Sequence, residues 1–214
     1  MKILVTGGAG YIGSHVVLEL LRKEYEVIVL DNLSTGKKEN INAKTTFCEG
    51  SILNRKDLEK VFKLNIDAVI HLAGSKAVGE SMTNPSKFID NNIIGSLNLL
   101  TACEKYNVRK FIFSSSASVY GNPQYLPINE LHPTIPLNFY GETKLQIESN
   151  LFWLSKIKDF NYATLRYFNA SGYDEKGEIK GIETQSQNLI PKIMDYLTGQ
   201  KKEFEIFGSD YNTK

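Results

Sequence analysis

The sequence has few of the residues that build disulfide-rich or metal-stabilised proteins. Only two cysteines, Cys48 and Cys103, occur among 214 residues, so neither a disulfide framework nor a cysteine-rich zinc site is expected. The three histidines, His15, His71 and His132, are too scattered to match a zinc spacing. The sequence therefore predicts no metal site, and both cysteines are interpreted as small apolar residues of the core.

An excess of charge and long apolar runs are lacking as well. The 25 Lys and Arg residues balance 24 Asp and Glu residues, so neither nucleic acid nor an anionic membrane is predicted as the main partner. The longest apolar runs are far shorter than the roughly 20 residues that cross a membrane. The apolar start, residues 1–7, is too short for a signal peptide, and glycine-rich sequence follows at once. These features predict a cytoplasmic location.

A regular alternation of apolar and amphipathic segments is what the sequence does contain. Unbroken apolar runs suit parallel strands that are covered on both faces, and apolar residues at helical spacing indicate the helices between them. Strands are predicted at 2–6, 27–30, 45–48, 68–72, 111–113 and 162–167, and helices at 14–24, 55–64, 85–106 and 140–158. This order predicts an α/β fold, a Rossmann-type doubly wound parallel sheet.

Three glycines, Gly7, Gly10 and Gly13, separate the first strand from the first helix in a G-x-x-G-x-x-G spacing. Small residues let the backbone approach a pyrophosphate, and the helix N-terminus offers free N–H groups and a positive dipole end. Asp31 ends the second strand 18 residues after Gly13, near the spacing of about 20 residues for a carboxylate that binds ribose hydroxyls. Because this carboxylate would repel a ribose phosphate, NAD is predicted rather than NADP. A tight turn followed by an ordinary surface aspartate is the alternative.

Tyr140 and Lys144 form a Y-x-x-x-K pattern at the start of a helix, where residues four apart share one face. A tyrosine with a pKa of about 10 is a poor base at neutral pH. A nearby ammonium and a positively charged nicotinamide would both favour the phenolate, which could then take a proton from a sugar hydroxyl. Residues 114–116, three serines, end a predicted strand where it should meet the cofactor.

Together these segments resemble the extended short-chain dehydrogenase/reductase family and, within it, the UDP-sugar 4-epimerases. The resemblance covers essentially the whole chain in order, and its specificity comes from the combination rather than from any one segment. The matching segments are 5–15, 31–33, 71–81, 90–92, 113–121, 140–144, 165–169, 188–191 and 206–208.

The resemblance implies a catalytic role for three residues. Tyr140 is the expected base, Lys144 lowers its pKa and binds the nicotinamide ribose, and Ser116 orients the reacting hydroxyl. The implied reaction interconverts UDP-glucose and UDP-galactose through a 4-keto sugar, with NAD regenerated. A homodimer through the helices at 85–106 and 140–158 is also implied.

The resemblance further implies two sets of binding residues. NAD would be held by Gly7, Gly10, Tyr11, Ile12, Gly13, Asp31, Asn32, Leu33, Ser34, Thr35, Gly36, Ser51, Ile52, Leu72, Ala73, Gly74, Lys76, Asn91, Ser114, Ser116, Tyr140, Lys144 and Phe168. The UDP-sugar would contact Lys76, Ser116, Ser118, Tyr140, Asn169, Asn188, Leu189, Glu205 and Phe207.

The chain departs from the family pattern in two places. Ser51 stands where the family usually has an aspartate beside the adenine ring. The family also continues beyond the segment that ends this chain, and 214 residues correspond to about 1.4 ordinary domains. We therefore expect a complete NAD-binding domain at 1–171 and a truncated start of a smaller α/β UDP-sugar domain at 172–214, with a helix at 188–197 and a strand at 204–207. NAD binding with weak or absent turnover follows from this division.

Other functions stay open at this point. A nucleotide-sugar 4,6-dehydratase would carry an acidic pair where Ala117 and Ser118 stand, which argues against that activity. An epimerase of other UDP-sugars, such as N-acetylated or uronic ones, is compatible with the motifs. A truncated NAD-binding protein without turnover is the alternative of another class.

Overall fold

Six short strands rich in Val, Ile and Phe form one parallel sheet in the computed structural model, which describes residues 1–181, 188–206 and 208. The strands are β1 (Lys2–Thr6), β2 (Glu26–Asp31), β3 (Thr46–Glu49), β4 (Ala68–His71), β5 (Lys110–Ser116) and β6 (Asn161–Tyr167). Their order across the sheet is β3-β2-β1-β4-β5-β6, and every neighbouring pair is parallel. This is the strand order of the dinucleotide-binding fold, so the predicted Rossmann-type sheet is confirmed.

Helices follow most of the strands. They are α1 (Tyr11–Arg22), α2 (Arg55–Phe62), α3 (Val78–Thr83), α4 (Pro85–Phe88), α5 (Gly95–Lys105), α6 (Phe139–Ile157) and α7 (Leu189–Leu197). A π-helical turn, Ile89–Ile94, joins α4 to α5, and short 3-10 turns occupy Lys38–Asn40 and Ala117–Val119. In the part of the chain that the structure describes, no helix is long and apolar enough to span a membrane.

The sheet is buried on both faces because its side chains alternate between two clusters. Leu4 and Ile28 point into the larger cluster, which α2, α5 and α6 cover. Val5 and Val29, the next residues along the same strands, point into the smaller cluster, where Val17 of α1 packs. Because all neighbouring strands are parallel, their carboxyl ends lie at one edge of the sheet. The strand order reverses between β1 and β4.

The structure corrects three details of the predicted elements. The single helix expected at 85–106 is interrupted by the π-helical turn. The short helix α3 had not been predicted. Residues 204–206 pair with no strand of the described residues and therefore form no strand. Phe207 falls outside the described residues.

Two compact units divide the chain, Met1–Gly181 and Ile182–Lys214. Residues 172–181 make contacts within the first unit: the Tyr11 hydroxyl donates to the carbonyl of Gly172, and the Gly181 N–H donates to Asn40 Oδ1 at 2.6 Å. The functional boundary at residue 171 stays a prediction.

Candidate functional site at the carboxyl edge of the sheet

The glycine loop lies between β1 and α1 and has no room for side chains at two positions. Gly7 has a φ of +73°, and a Cβ atom on it would lie 2.7 Å from the backbone nitrogen of Ala73. A Cβ atom on Gly13 would lie 2.0 Å from the carbonyl oxygen of Gly7. Strand, loop and helix are therefore in direct backbone contact, as a cradle for a pyrophosphate requires.

The first turn of α1 presents backbone N–H groups at this edge. Gly10 is the N-cap residue, and its carbonyl accepts the first intrahelical bond, from the Ser14 N–H at 2.9 Å. The N–H groups of Tyr11 and Ile12 precede that bond and have no partner within the helix. Together with the helix dipole they form a site suited to an anion, at the residues predicted to bind pyrophosphate.

Asp31 ends β2 beside this loop and holds it in place. Its side chain is buried, and its Oδ2 accepts the Ala9 N–H at 3.0 Å while Oδ1 accepts the Leu33 N–H at 2.8 Å. Each oxygen keeps a further lone pair that can accept a ribose hydroxyl. Asn32 accepts the Ser34 N–H at 3.1 Å, which shapes the turn that follows β2. The remaining residues predicted on this turn are Thr35, which is exposed, and Gly36, which is half-buried.

Ser51 follows β3, and Ile52 beside it is buried; both were predicted to bind NAD. The Ser51 hydroxyl accepts the Leu53 N–H at 3.2 Å, so its own proton remains available for donation. The Ser51 N–H donates to Asp57 Oδ2 at 3.1 Å. A carboxylate thus lies next to the serine that replaces the family's usual aspartate, although it comes from α2.

The loop after β4 runs from half-buried Leu72 and Ala73 to exposed Lys76, and a buried asparagine holds it. Asn92 Oδ1 accepts the Ser75 N–H at 2.7 Å, and Asn92 Nδ2 donates to the Ser75 carbonyl at 3.0 Å. The predicted cofactor residue Asn91 donates to the Ser75 hydroxyl at 3.1 Å. Gly74 lies between these anchors, and a Cβ on it would be 3.1 Å from Asn92 Oδ1.

The structure brings Tyr140 and Ser116 together at the end of β5. The Ser116 hydroxyl lies close enough to the Tyr140 phenol to affect its pKa, and the Ser118 N–H donates to Ser116 Oγ at 3.2 Å. Burial raises the pKa of Tyr140, and the nearby Ser116 hydroxyl acts in the opposite direction and lowers it. The Tyr140 backbone N–H donates at 3.1 Å to Ser81, a buried residue of the unpredicted helix α3.

Lys144 lies one turn further along α6, and its side chain is 6% exposed. Its Nζ donates to the carbonyl of Ser114 at 2.9 Å and lies 5.7 Å from the centre of the Tyr140 ring. Burial lowers the pKa of Lys144 to about 8. The three predicted catalytic side chains are therefore gathered at one point, where a phenol, a hydroxyl and an ammonium can act on one substrate hydroxyl.

A buried ion pair behind this group is a feature that the sequence analysis missed. Glu148 accepts three bonds from Arg166, of which the one from Nη2 measures 2.6 Å, and it also accepts the Ser115 hydroxyl at 2.5 Å. The Arg166 guanidinium lies 4.9 Å from the centre of the Tyr120 ring. Glu148 lies four residues after Lys144 on the same helical face, a spacing that could have indicated its position.

The residues predicted to bind the sugar belong to both units of the chain. Ser116 and Ser118 belong to the group around Tyr140. Phe168, which was predicted to bind NAD, lies exposed beside the Tyr120 ring, with the ring centroids 6.3 Å apart. Asn169 is exposed after β6. Three other residues lie in the second unit: Asn188 precedes α7, exposed Leu189 begins it, and exposed Glu205 follows it. Phe207 is outside the described residues.

The described residues, 1–181 with 188–206 and 208, contain no cluster of three or more His, Cys, Asp or Glu side chains that could hold a metal ion. The buried histidine of the sheet, His71, instead bonds Thr6 at 2.7 Å and Ser96 at 2.8 Å.

Comparison with known proteins gives consistent matches along the whole chain. A protein-family model described as "NAD dependent epimerase/dehydratase family" matches residues 3–213. A UDP-glucose 4-epimerase of Halalkalibacterium halodurans is 45% identical over 215 residues, which cover 100% of this chain and 64% of that protein.

Solved structures agree with the sequence matches. The crystal structure of UDP-glucose 4-epimerase from Brucella ovis in complex with NAD superposes with a TM-score of 0.95 at 42% identity, over 99% of this chain and 65% of that one. The enzyme from Bifidobacterium longum in complex with NAD+ and UDP gives a TM-score of 0.91 at 40% identity, over 100% and 67%. The chain thus spans slightly less than two thirds of the length of the curated relatives it matches.

Proposed function

Because the chain belongs to the NAD dependent epimerase/dehydratase family, we propose that it binds NAD and that its site serves the 4-epimerisation of UDP-glucose and UDP-galactose. The observation that carries this proposal is the position of buried Lys144, whose Nζ lies 5.7 Å from the centre of the Tyr140 ring and donates to the carbonyl of Ser114 at 2.9 Å, at the same sheet edge as the glycine loop. The alternative interpretation, a tight turn followed by an ordinary surface aspartate, does not explain why Tyr140, Ser116 and Lys144 lie at the same sheet edge as the glycine loop.

The residues present fit NAD by their own chemistry. The cradle at Gly7 and Gly13 excludes side chains, the start of α1 offers backbone N–H groups to a pyrophosphate, and Asp31 can accept two ribose hydroxyls. A carboxylate at Asp31 disfavours a ribose phosphate, which supports NAD over NADP. When bound, NAD would supply the hydride acceptor and donor for carbon 4 of the sugar.

Tyr140 would remove the proton from the sugar 4-hydroxyl as that carbon is oxidised, and it would return the proton when the sugar is reduced on its other face. Ser116 would hold the reacting oxygen through its hydroxyl. With a pKa lowered to about 8, Lys144 is mostly an ammonium at neutral pH, so it supplies positive charge 5.7 Å from the phenol ring. The intermediate is a 4-keto sugar, and the reaction consumes no net oxidant.

A second candidate function is NAD binding without turnover. The observation that favours it is that the glycine cradle and Asp31 could hold NAD whether or not Tyr140 acts as a base. A 4,6-dehydratase is less well supported, because Ala117 and Ser118 form the 3-10 turn after β5 and carry no ionisable group. Epimerisation of other UDP-sugars is compatible with the same site, in which Asn188, Leu189 and Glu205 are proposed to contact the sugar.

A homodimer through α5 and α6 is also part of the proposal. The outer face of α6 exposes large apolar side chains, with Trp153 60% and Ile157 66% accessible, and Phe152 adjoins them. Exposed apolar patches of this kind mark protein–protein contacts. Sedimentation equilibrium should give twice the chain mass for the wild type and the single mass for Trp153→Glu. The cytoplasmic location stays a prediction.

Conversion of UDP-galactose by the purified chain in the presence of NAD tests the catalytic assignment. Whatever rate the wild type shows, Tyr140→Phe should abolish it, because phenylalanine cannot exchange the proton. Tyr162→Phe is the matched control: this tyrosine of β6 packs against the core, and its loss should leave the rate unchanged. Conversion by Tyr140→Phe at the wild-type rate contradicts the assignment. NAD binding without conversion in the wild type favours the second candidate.

A further inference from the structure

A fully buried histidine ends β4 beneath the proposed NAD site, and the mechanism above does not use it. His71 is 1% exposed, and its ring lies between those of Phe111 and Phe113, with centroids 5.9 and 5.7 Å away. Burial, and to a smaller degree the charge of Lys144, lowers the pKa of His71 to about 3. The imidazole is therefore neutral at physiological pH, with one ring nitrogen that donates and one that accepts.

The hydrogen bonds around the ring determine which nitrogen carries the proton. The Ser96 hydroxyl donates to the carbonyl of Asn92 at 2.6 Å, and a carbonyl can only accept. Its single proton is thus committed, so across the 2.8 Å contact Ser96 must accept from His71 Nε2–H. His71 Nδ1 then accepts from the Thr6 hydroxyl at 2.7 Å, and Thr6 Oγ1 in turn accepts the Ala73 N–H at 3.4 Å.

The two ends of this chain of bonds reach the two loops of the cofactor site. Thr6 is the residue before Gly7, and Gly7 packs so closely on Ala73 that a Cβ atom would lie 2.7 Å from its nitrogen. At the other end, the side chain of Asn92 holds both the N–H and the carbonyl of Ser75, at 2.7 and 3.0 Å.

The same chain of bonds continues towards the catalytic helix. Asn92 Nδ2 also donates to Thr143 Oγ1 at 3.2 Å, and the Thr143 hydroxyl donates to the carbonyl of Tyr140 at 2.7 Å. A buried polar network therefore runs from the glycine loop through His71 to the first turn of α6. Networks of this kind, when every member is paired, make the elements that they connect rigid.

We propose that His71, held as the neutral Nε2–H tautomer between Thr6 and Ser96, is a positioning residue that fixes the two cofactor loops, 7–13 and 72–76, relative to each other. The role rests on the proposed NAD site, and His71 acts on it through its two hydroxyl partners. Loss of the imidazole leaves the sheet able to form but lets the loops shift.

Three substitutions at His71 test its hydrogen bonds to Thr6 and Ser96 separately. In His71→Asn the amide oxygen lies near the position of Nδ1 and can still accept from Thr6. In His71→Gln the amide nitrogen reaches the position of Nε2 and can still donate to Ser96. His71→Phe keeps the aromatic packing and loses both bonds, so the dissociation constant of NAD should rise by about tenfold, with smaller increases for Asn and Gln.

Cys103→Ala is the control for destabilisation alone. Cys103 is fully buried in the same core and lies on α5, away from both cofactor loops along the chain. Its truncation should lower the midpoint of urea unfolding while leaving the dissociation constant of NAD unchanged, measured on chains shown to be folded. If the role of His71 were purely structural, its variants would also unfold at lower urea while the dissociation constant of NAD stayed unchanged.

Long-range 1H–15N spectra of the chain with 15N-labelled histidine test the tautomer directly, with His71→Gln identifying the signals. The expected result is a neutral Nε2–H ring between about pH 8 and about pH 5. A Nδ1–H ring or an imidazolium at about pH 6 overturns the inference, as does unchanged NAD affinity in folded His71→Phe. If the folded wild type binds no NAD at all, both the NAD site and this role are wrong.

Discussion

Lys144 Nζ donates a 2.9 Å hydrogen bond to the backbone carbonyl of Ser114 and thereby connects α6, which carries Tyr140, to β5, which carries Ser116. The ammonium also lies 5.0 Å from the centre of the Phe113 ring. It is held away from solvent, so it can act on the phenol of Tyr140 with little screening. This arrangement leads to the first prediction.

The lowered pKa of Lys144 makes stability depend on pH. Its pKa falls from the ordinary 10.5 to about 8, so between these values the unfolded state holds a proton that the folded state lacks. The free energy of unfolding should therefore rise with pH in this window, by up to about 3 kcal/mol relative to Lys144→Met. The stabilisation that Lys144 gains at high pH is lost as the pH falls through about 8. Urea unfolding of both proteins across the window measures the difference.

The control for that experiment is Lys156→Met, which removes an exposed lysine from the same helix. It should follow the pH dependence of the wild type. Parallel curves for the wild type and Lys144→Met would show that Lys144 keeps its ordinary pKa in the folded chain.

Tyr140 should become more acidic when NAD binds. In the structure, burial raises the pKa of its phenol, and the nearby Ser116 hydroxyl lowers it. A positively charged nicotinamide adds an attraction for the phenolate that the protein alone does not provide. Tyrosinate absorbance near about 295 nm, taken as the difference between the wild type and Tyr140→Phe, should therefore shift to lower pH with saturating NAD. If the titration curves with and without NAD coincide, the nicotinamide does not lower the pKa of Tyr140.

Much of the fold was predictable because it follows from local patterns. The apolar runs of β1, β2 and β4 and the glycine spacing identify the Rossmann sheet, and the family resemblance is confirmed by the match over residues 3–213. The helix expected to carry Tyr140 and Lys144 is also present, from Phe139 to Ile157.

The missed features depend on partners that are distant in sequence. The π-helical turn at 89–94 places Asn92 against Ser75, a contact that no local spacing reveals. Glu148 and Arg166 meet because α6 packs beside β6, and the pairing cannot be seen in either segment alone. The sequence pattern at 204–207 resembles that of a strand, but a strand also needs a neighbouring strand with which to form hydrogen bonds.

Gly13→Ala should disrupt the cofactor loop, since its Cβ atom would lie 2.0 Å from the carbonyl oxygen of Gly7. The backbone must move to accept it, and we expect a loss of NAD affinity of at least about tenfold together with a lower melting temperature. Gly79→Ala is the matched control, because its Cβ atom meets nothing within 4 Å and the residue lies in α3. It should stabilise the chain by about 0.5–1 kcal/mol. Equal behaviour of the two variants in calorimetry and NAD titration would contradict the close packing.

The buried pair of Glu148 and Arg166 should show strong coupling in a double-mutant cycle. Arg166→Met leaves a carboxylate that is 8% exposed without its main partner, and we expect a loss of about 3 kcal/mol or more in the free energy of unfolding. Glu148→Gln together with Arg166→Met removes both charges and should cost less than the sum of the single changes. Urea unfolding of the four proteins measures the coupling, and additive losses would mean that the pair is not coupled.

Isothermal titration of the 214-residue chain with NAD tests the central claim most directly. We predict saturable binding of one NAD per chain, clearly weaker binding of NADP, and an NAD affinity reduced by about tenfold or more in Asp31→Asn, because the carboxylate loses charge-assisted bonds. Asp67→Asn, at an exposed aspartate that accepts the Lys2 N–H at 2.6 Å, should bind NAD as the wild type does. A folded chain that takes up no NAD, or that binds NAD and NADP equally, would contradict the account.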